Sequence, residues 1–176
     1  WRMLRYLGVD TQIIGNTTPV SDLRELDGLI LSGGAARVGL TGELGNCGAY
    51  LELEIPILGI CAGHQFMAGY YGGAAAEAIT PEFGAATIEL VNGGGKIFQE
   101  TPNEQVVWES HNDEVSKLPD GFFITASSES CEVQGMENDQ GNRFGLQFHP
   151  EVNDSEFGQH MFKNFIEICR QSRQSS

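Results

Sequence analysis

Cys61 lies in the run Gly59-Ile60-Cys61-Ala62-Gly63-His64-Gln65, directly after the apolar stretch Pro56-Ile57-Leu58-Gly59-Ile60. A cysteine at the turn from a buried strand into a helix fits a nucleophile elbow. The side chain stands above the carboxyl end of the sheet, and glycines on both sides let the backbone turn tightly and neighbouring elements pack close. The start of the helix beside the sulfur favours its thiolate form. Taken alone, this pattern is evenly matched by the blander reading of Cys61 as a small buried hydrophobe. The balance moves at Leu146-Gln147-Phe148-His149-Pro150-Glu151, where a strand ends in a histidine followed two residues later by a carboxylate. In extended chain, residues i and i+2 point the same way. Glu151 can therefore fix the tautomer of His149 and stabilise its imidazolium while the other ring nitrogen faces Cys61, which is the logic of a Cys-His-Glu triad for acyl transfer. Such a nucleophile also needs donors for a developing oxyanion. The backbone N–H groups of Gly34, in Ser32-Gly33-Gly34 after the strand Leu29-Ile30-Leu31, and of Ala62 are the candidates. A Gly-Gly pair after a strand is by itself more often just a turn.

These residues need a sheet whose strand ends share one edge. Trp1, Leu4 and Leu7 have helical spacing, Thr11 to Ile14 reads as a short strand, and Ser21 to Leu26 as a capped helical turn. Gly28 to Leu31 and Pro56 to Ile60 are short apolar runs of the kind found in buried parallel strands. A helix is expected near Cys47 to Glu54 and another from Cys61 through Tyr71, ended by Gly72-Gly73. From Ala74 the pattern changes to alternating strands at Ala85 to Val91, Gln105 to Trp108, Phe122 to Ala126, Cys131 to Met136 and Phe144 to Phe148, with turns at Asn92-Gly93 and Gln140-Gly141. Ser155 to Gln171 closes the chain as a helix with Phe157, Met161, Phe162, Phe165, Ile166 and Cys169 on one face. The expectation is one α/β domain over residues 1–176, with a flavodoxin-like, mostly parallel central sheet flanked by helices and a small antiparallel sheet.

Composition narrows the function. The 176 residues are 40% hydrophobic and 19% charged, within the range of a globular domain rather than a disordered chain. Ten basic against 24 acidic residues leave a net charge of −14, which repels a phosphate backbone and makes nucleic acid an unfavourable partner. No apolar run approaches the roughly 20 residues that span a bilayer, and no signal-peptide pattern opens the chain, so a cytoplasmic protein without a membrane association is expected. Cys47, Cys61, Cys131 and Cys169 show no CxxC spacing, and neither a disulfide nor a metal site is expected from them. No Walker-type Gly-x-x-x-x-Gly-Lys-Ser/Thr is present, so ATP chemistry would have to lie on another chain. His64, on the new helix, and His160, in the last one, read as structural or surface residues.

The motifs Ser-Gly-Gly, Gly-Ile-Cys-Ala-Gly-His-Gln and Gln-Phe-His-Pro-Glu, in that order, resemble those of the class I, triad-type glutamine amidotransferases. Trp1 to Val9 and Trp108-Glu109-Ser110-His111-Asn112-Asp113-Glu114-Val115 are similar to the branch formed by the glutaminase subunits of archaeal two-subunit GMP synthetases. The resemblance covers essentially the whole chain. It implies hydrolysis of L-glutamine at Cys61, His149 and Glu151, and delivery of ammonia to a separate ATP-pyrophosphatase subunit that converts xanthosine monophosphate to GMP. No cofactor is implied in this chain, ATP and Mg being used by the partner. Gln65 and Gly33 are implied to hold the substrate, and Ser110, His111 and Asn112 to offer backbone contacts to its amino-acid end. Asp113 and Glu114 read as exposed, solvated turn carboxylates, with a place at the partner interface as the sharper alternative. Ala62 and Ala35 stand where the family usually has Leu and Pro, a change that a backbone N–H donor tolerates. The family also begins with a strand and a glycine-containing loop ahead of the helix that starts here at Trp1, so the resemblance implies that this strand is missing. Competing readings are the glutaminase of anthranilate or aminodeoxychorismate synthesis, a non-catalytic flavodoxin-like binding module, and a cysteine hydrolase of the peptidase or deglycase type. The binding module leaves the His149 and Glu151 pair unexplained.

Overall fold

A computed structural model describes residues 27–32, 50–152 and 154–174. The expected elements before Asp27, the Ser-Gly-Gly turn beyond Ser32, and residues 47–49 of the expected helix lie outside the described residues. Among the described residues seven strands form one hydrogen-bonded sheet in the order β1-β2-β7-β6-β5-β3-β4. They are β1 (Leu29–Ser32), β2 (Ile57–Ile60), β3 (Ala74–Leu90), β4 (Glu104–Lys117), β5 (Phe122–Ser127), β6 (Gly135–Asn138) and β7 (Arg143–Leu146). Among the described residues the α-helices α1 (Ala62–Tyr70) and α2 (Gly158–Gln174) accompany them.

The parallel part is β1, β2 and β7, with Ser32 opposite Ile60 and Ile60 opposite Leu146, so the three strands end level with one another. All four residues of β2 are buried, as both faces of a parallel strand are covered. Leu58 and Ile60 join Phe144, Leu146 and the face of α2, where Met161, Phe162, Phe165 and Cys169 are buried and Phe157 and Ile166 pack at the margin. Ile57 points the other way, into a second core with Met67 and Ala68 of α1, Leu31 and Met136. The alternation of one short strand thus feeds two cores. Arg143, at the start of β7, is itself buried: its guanidinium donates to the carbonyls of Leu51, Leu53 and Ile55 and to the Tyr71 hydroxyl. A charge that would be costly in the core is thereby fully used to pin residues 51–55 beneath the sheet.

The antiparallel strands continue the same sheet through the β6–β7 pair rather than standing apart. Two of them are much longer than their apolar pattern suggests. The expected strand Ala85 to Val91 is the end of β3, which begins at Ala74 and passes through a register shift between Glu77 and Glu82, around Pro81. Gln105 to Trp108 is only the start of β4, whose alternation continues to Lys117. The continuation is hidden in the sequence because the buried face carries Glu109, His111 and Asp113 in place of apolar residues. Conversely, Cys131 to Met136 does not form one strand. Ser128 and Cys131 exchange backbone hydrogen bonds in a tight turn, and β6 starts only at Gly135. The turns at Asn92-Gly93 and Gln140-Gly141 are where the sequence puts them, with φ of 79° at Gly93 and 71° at Gly141.

Candidate active site

Cys61 is the residue at which β2 becomes α1. Its φ of 54° and ψ of −106° place a non-glycine residue in a costly backbone region, of the order of 1–3 kcal/mol, which the surroundings must impose. They do so by close contact of backbone on backbone. A Cβ on Gly63 would lie 2.1 Å from the Leu31 carbonyl oxygen, and one on Gly59 would lie 2.8 Å from the carbonyl of Gly63. Both glycines are therefore required for packing. The Cys61 N–H is held by the Leu146 carbonyl at 2.8 Å, which ties the elbow to the end of β7.

The sulfur is less open than a bare elbow implies, as Cys61 is only 8% exposed. Its thiol faces the Ser110 carbonyl at 3.7 Å, and the Gln147 side-chain amide donates towards it at 3.7 Å. His149 arrives from the end of β7. Its N–H bonds to the Trp108 carbonyl, and its own carbonyl accepts from the Ser155 hydroxyl, which in turn accepts from the Trp108 N–H. Its Nδ1 lies 2.6 Å from Glu151 Oε1. Hydrogen bonding with Cys61, and then with Glu151, lifts the imidazole from 6.5 to about 10 against the opposing effect of burial. The sequence-derived trio of Cys61, His149 and Glu151 is thus brought together, with His149 between the other two.

Gln65, on α1, is buried, and its side-chain amide donates to the Asp113 carbonyl at 2.9 Å and to Gln147 Oε1 at 3.2 Å. Ala62 occupies the first helical position, where an N–H has no partner within the helix. Gly33 and Gly34 lie outside the described residues. Ser110 presents its carbonyl to the site and Asn112 is exposed, but the His111 side chain turns into the protein, with Nδ1 2.9 Å from the Asp113 carbonyl and Nε2 3.0 Å from Glu82. Asp113 is buried and Glu114 half-buried. The expectation of two exposed acids fails because β4 runs on through them and turns Asp113 inward. His64 is fully buried and burial lowers it to about 3, so it is a neutral packing residue. His160 faces Glu100 at the surface of α2.

Gln147 is the residue that sequence reasoning missed. It is wholly buried and touches both Cys61 and Gln65. Its placement could not be read from strand alternation, because β7 ends at Leu146, residues 147–148 bend and residues 150–151 form a turn closed by the Val152 N–H on the His149 carbonyl.

Comparison with known proteins shows the family. Residues 1–169 match the model of the family described as Glutamine amidotransferase class-I. The chain belongs to that family. A Thermoplasma acidophilum protein, named as one subunit of the glutamine-hydrolyzing GMP synthase, is 44% identical over 99% of this chain and 88% of the relative. Its Archaeoglobus fulgidus namesake is 42% identical over 96% and 90%. A solved Thermoplasma acidophilum structure superposes with a TM-score of 0.92 at 44% identity, covering 99% of this chain and 88% of its own. A glutamine amidotransferase structure from Thermotoga maritima gives 0.64 at 30% identity, covering 87% of this chain and 66% of that one. The α/β fold of this class I glutamine amidotransferase is therefore the fold of its relatives. Among the described residues no helix is long and apolar enough to cross a membrane.

Proposed function

We propose that the chain is the glutaminase subunit of a two-subunit GMP synthetase. It hydrolyses L-glutamine and passes ammonia to an ATP-pyrophosphatase subunit, which uses ATP and Mg to convert xanthosine monophosphate to GMP. The observation that carries the reading is the meeting of Cys61 with the His149 and Glu151 pair at the level ends of β2 and β7, in a chain similar over nearly its whole length to subunits of the glutamine-hydrolyzing GMP synthases.

In this reading the Cys61 thiolate attacks the glutamine carboxamide carbon, and the oxyanion is met by the N–H groups of Ala62 and Gly34. The His149 imidazolium gives its proton to the departing nitrogen, which leaves as ammonia with a thioester on Cys61. The sulfur is then neutral. The hydrogen bond that chiefly holds a proton on His149 has gone, and the imidazole becomes a base able to take a proton from water. Attack of that water on the thioester releases glutamate and restores the ion pair. Gln65 and Gly33 hold the substrate, with backbone contacts from Ser110, His111 and Asn112.

The resting contacts favour control by the partner. Cys61 is occupied by Ser110 and Gln147, and Gln65 by Asp113 and Gln147. Weak activity is therefore expected from the isolated chain, with a large stimulation when the synthetase partner docks over this edge. The test is glutamate release by the complete chain, measured alone and with the ATP-pyrophosphatase subunit, ATP and xanthosine monophosphate. Stimulation by this partner supports the reading. Full activity alone, or stimulation only by a chorismate-using partner, overturns it. Glu114→Lys should lower the stimulation more than the basal rate, whereas the same change at buried Asp113 would disturb the fold.

A further inference from the structure

We propose that Glu82, His111 and Cys131, with Glu109 against the histidine, form a binding site for a divalent cation of the zinc class, on the inner face of the β3–β4 ribbon and separate from the Cys61 centre. The residues come from β3, β4 and the turn before β6, and their separation in sequence hides them from any spacing rule. The cysteine spacing suggested no metal site; the tertiary contacts supply one.

Ligand atoms of Glu82, His111 and Cys131 all lie within 4.8 Å of one another. Glu82 and His111 are directly opposite in the antiparallel register. The His111 ring is oriented as a ligating histidine usually is: Nδ1 donates to the Asp113 carbonyl at 2.9 Å, which leaves the Nε2 lone pair pointing at the cluster. That nitrogen meets two carboxylate oxygens, Glu82 Oε1 at 3.0 Å and Glu109 Oε2 at 3.0 Å. A bare lone pair and two carboxylates repel one another unless a proton or a cation lies between them.

Glu109 lies against the same histidine: it is fully buried, and its Oε2 is 3.0 Å from His111 Nε2. The Cys131 thiol is buried too and donates to the Val133 carbonyl at 3.8 Å. A divalent ion that took the place of the protons held at His111 and Cys131 would meet anionic ligands at a depth where water does not screen them. Glu82 is already fixed from outside, by the Ser130 hydroxyl at 2.7 Å and the Gln134 amide at 3.1 Å.

One thiolate, one imidazole and one carboxylate suit zinc rather than magnesium or calcium, with Glu109 held against the histidine. Ligand atoms around a tetrahedral zinc are about 3.2–3.8 Å apart for bonds of about 2.0–2.3 Å, so the atoms that now lie up to 4.8 Å apart must close by about 1 Å. Binding replaces the Cys131 thiol proton and the proton held between His111 and the carboxylates, both of which go to solvent. Because the Asp113 carbonyl accepts from both His111 and Gln65, the ion would also stiffen the ribbon beside Cys61.

The experiment is a titration of the chelator-treated, untagged full chain with cobalt(II), followed by displacement with zinc. The expected result is one cobalt per chain, with a tetrahedral ligand-field spectrum and a thiolate-to-cobalt charge-transfer band. The band should persist in Cys61→Ser and vanish in Cys131→Ser, and Glu109→Gln should weaken cobalt affinity by about 10–100-fold. Zinc should raise the melting temperature of the wild type and not of Cys131→Ser. A band that follows Cys61, or no stoichiometric cobalt binding, overturns the proposal and leaves a proton-bridged cluster. If Cys131→Ser fails to fold, X-ray absorption of the wild-type cobalt protein decides: one sulfur with an imidazole, in a chain whose Cys61 has been blocked by an electrophile, supports the site, and oxygen-only ligation overturns it.

Discussion

The elbow at Cys61 and the β3–β4 ribbon both reach the same sulfur, yet they are built from different materials. At the elbow, backbone packs on backbone: Gly63 sits against the Leu31 carbonyl, Gly59 against Gly63, and the Cys61 N–H against the end of β7. On the ribbon, the inward face of β4 carries Gln105, Glu109, His111 and Asp113, a row of buried polar groups among which only Val107 and Val115 are apolar. The first region depends on the absence of side chains. The second depends on side chains that are tolerable only because other strands meet them. Changes at the elbow should therefore act through position, whereas ribbon residues that give the site only their backbone should tolerate side-chain changes.

The largest effect is expected from Cys61→Ala, which should abolish glutamate release while leaving the melting temperature close to that of the wild type. A glutamine-analogue electrophile followed by peptide mapping should modify Cys61 and spare Cys131 and Cys169. Both of those are buried, and burial pushes the Cys169 thiol up to about 12. Cys47 is also expected to be spared. Even labelling across the cysteines would remove the distinction between the elbow and the rest of the molecule.

His149→Ala should cost about 10²–10⁴-fold in turnover, the usual worth of a general acid and base. Glu151→Gln should cost less than His149→Ala, because an amide can still orient the ring without stabilising its charge. The His149 ring resonances, followed by NMR, should titrate near pH 10 in the wild type. In Glu151→Gln and in Cys61→Ala the midpoint should fall back towards 6.5. Because the folded-state value lies above the unfolded one, the pairing stabilises the fold fully below about pH 6.5 and loses that contribution as pH rises through about 10. The stability gap between wild type and His149→Ala should accordingly narrow on the alkaline side. A midpoint that stays at the ordinary histidine value in the wild type would break the assignment.

Gly63→Ala tests the elbow without touching any reacting group. The added methyl must displace the end of β1, at about 1–3 kcal/mol of stability for overpacking. A shift of the thiol by a fraction of an ångström should lower turnover by about 10–100-fold. Ser110→Ala is the matching change on the ribbon and the smallest expected effect. The serine side chain is exposed and only its carbonyl faces Cys61, so activity should remain within about twofold, as for surface substitutions generally. Loss in Ser110→Ala comparable to that in Gly63→Ala would show that the two regions are not built as differently as their contacts indicate.

The contrast also explains what could be read in advance. Glycine spacing, the apolar strand before Cys61 and the i, i+2 placement of His149 and Glu151 are local, and local geometry is written in adjacent residues. From them the α/β fold, the two described helices and the trio at the strand ends were legible. Ala74 to Gly84 and Glu109 to Lys117 were not legible as strand, because their pattern lacks the apolar alternation on which such a reading relies. Gln147 went unassigned because its role is defined by Cys61 and Gln65, both remote in sequence. Asp113 looked like a solvated acid until β3 paired with β4 and covered one face of the run. The sequence by itself determined the tight turn at Cys61, the strand before it and the proximity of His149 to Glu151, since each depends on backbone conformation within a few residues. Only the tertiary structure decided which polar side chains are buried and what neutralises them, as with Glu82, Glu109, His111 and Cys131. The cost of burying a charge is set by partners that the fold brings from elsewhere in the chain.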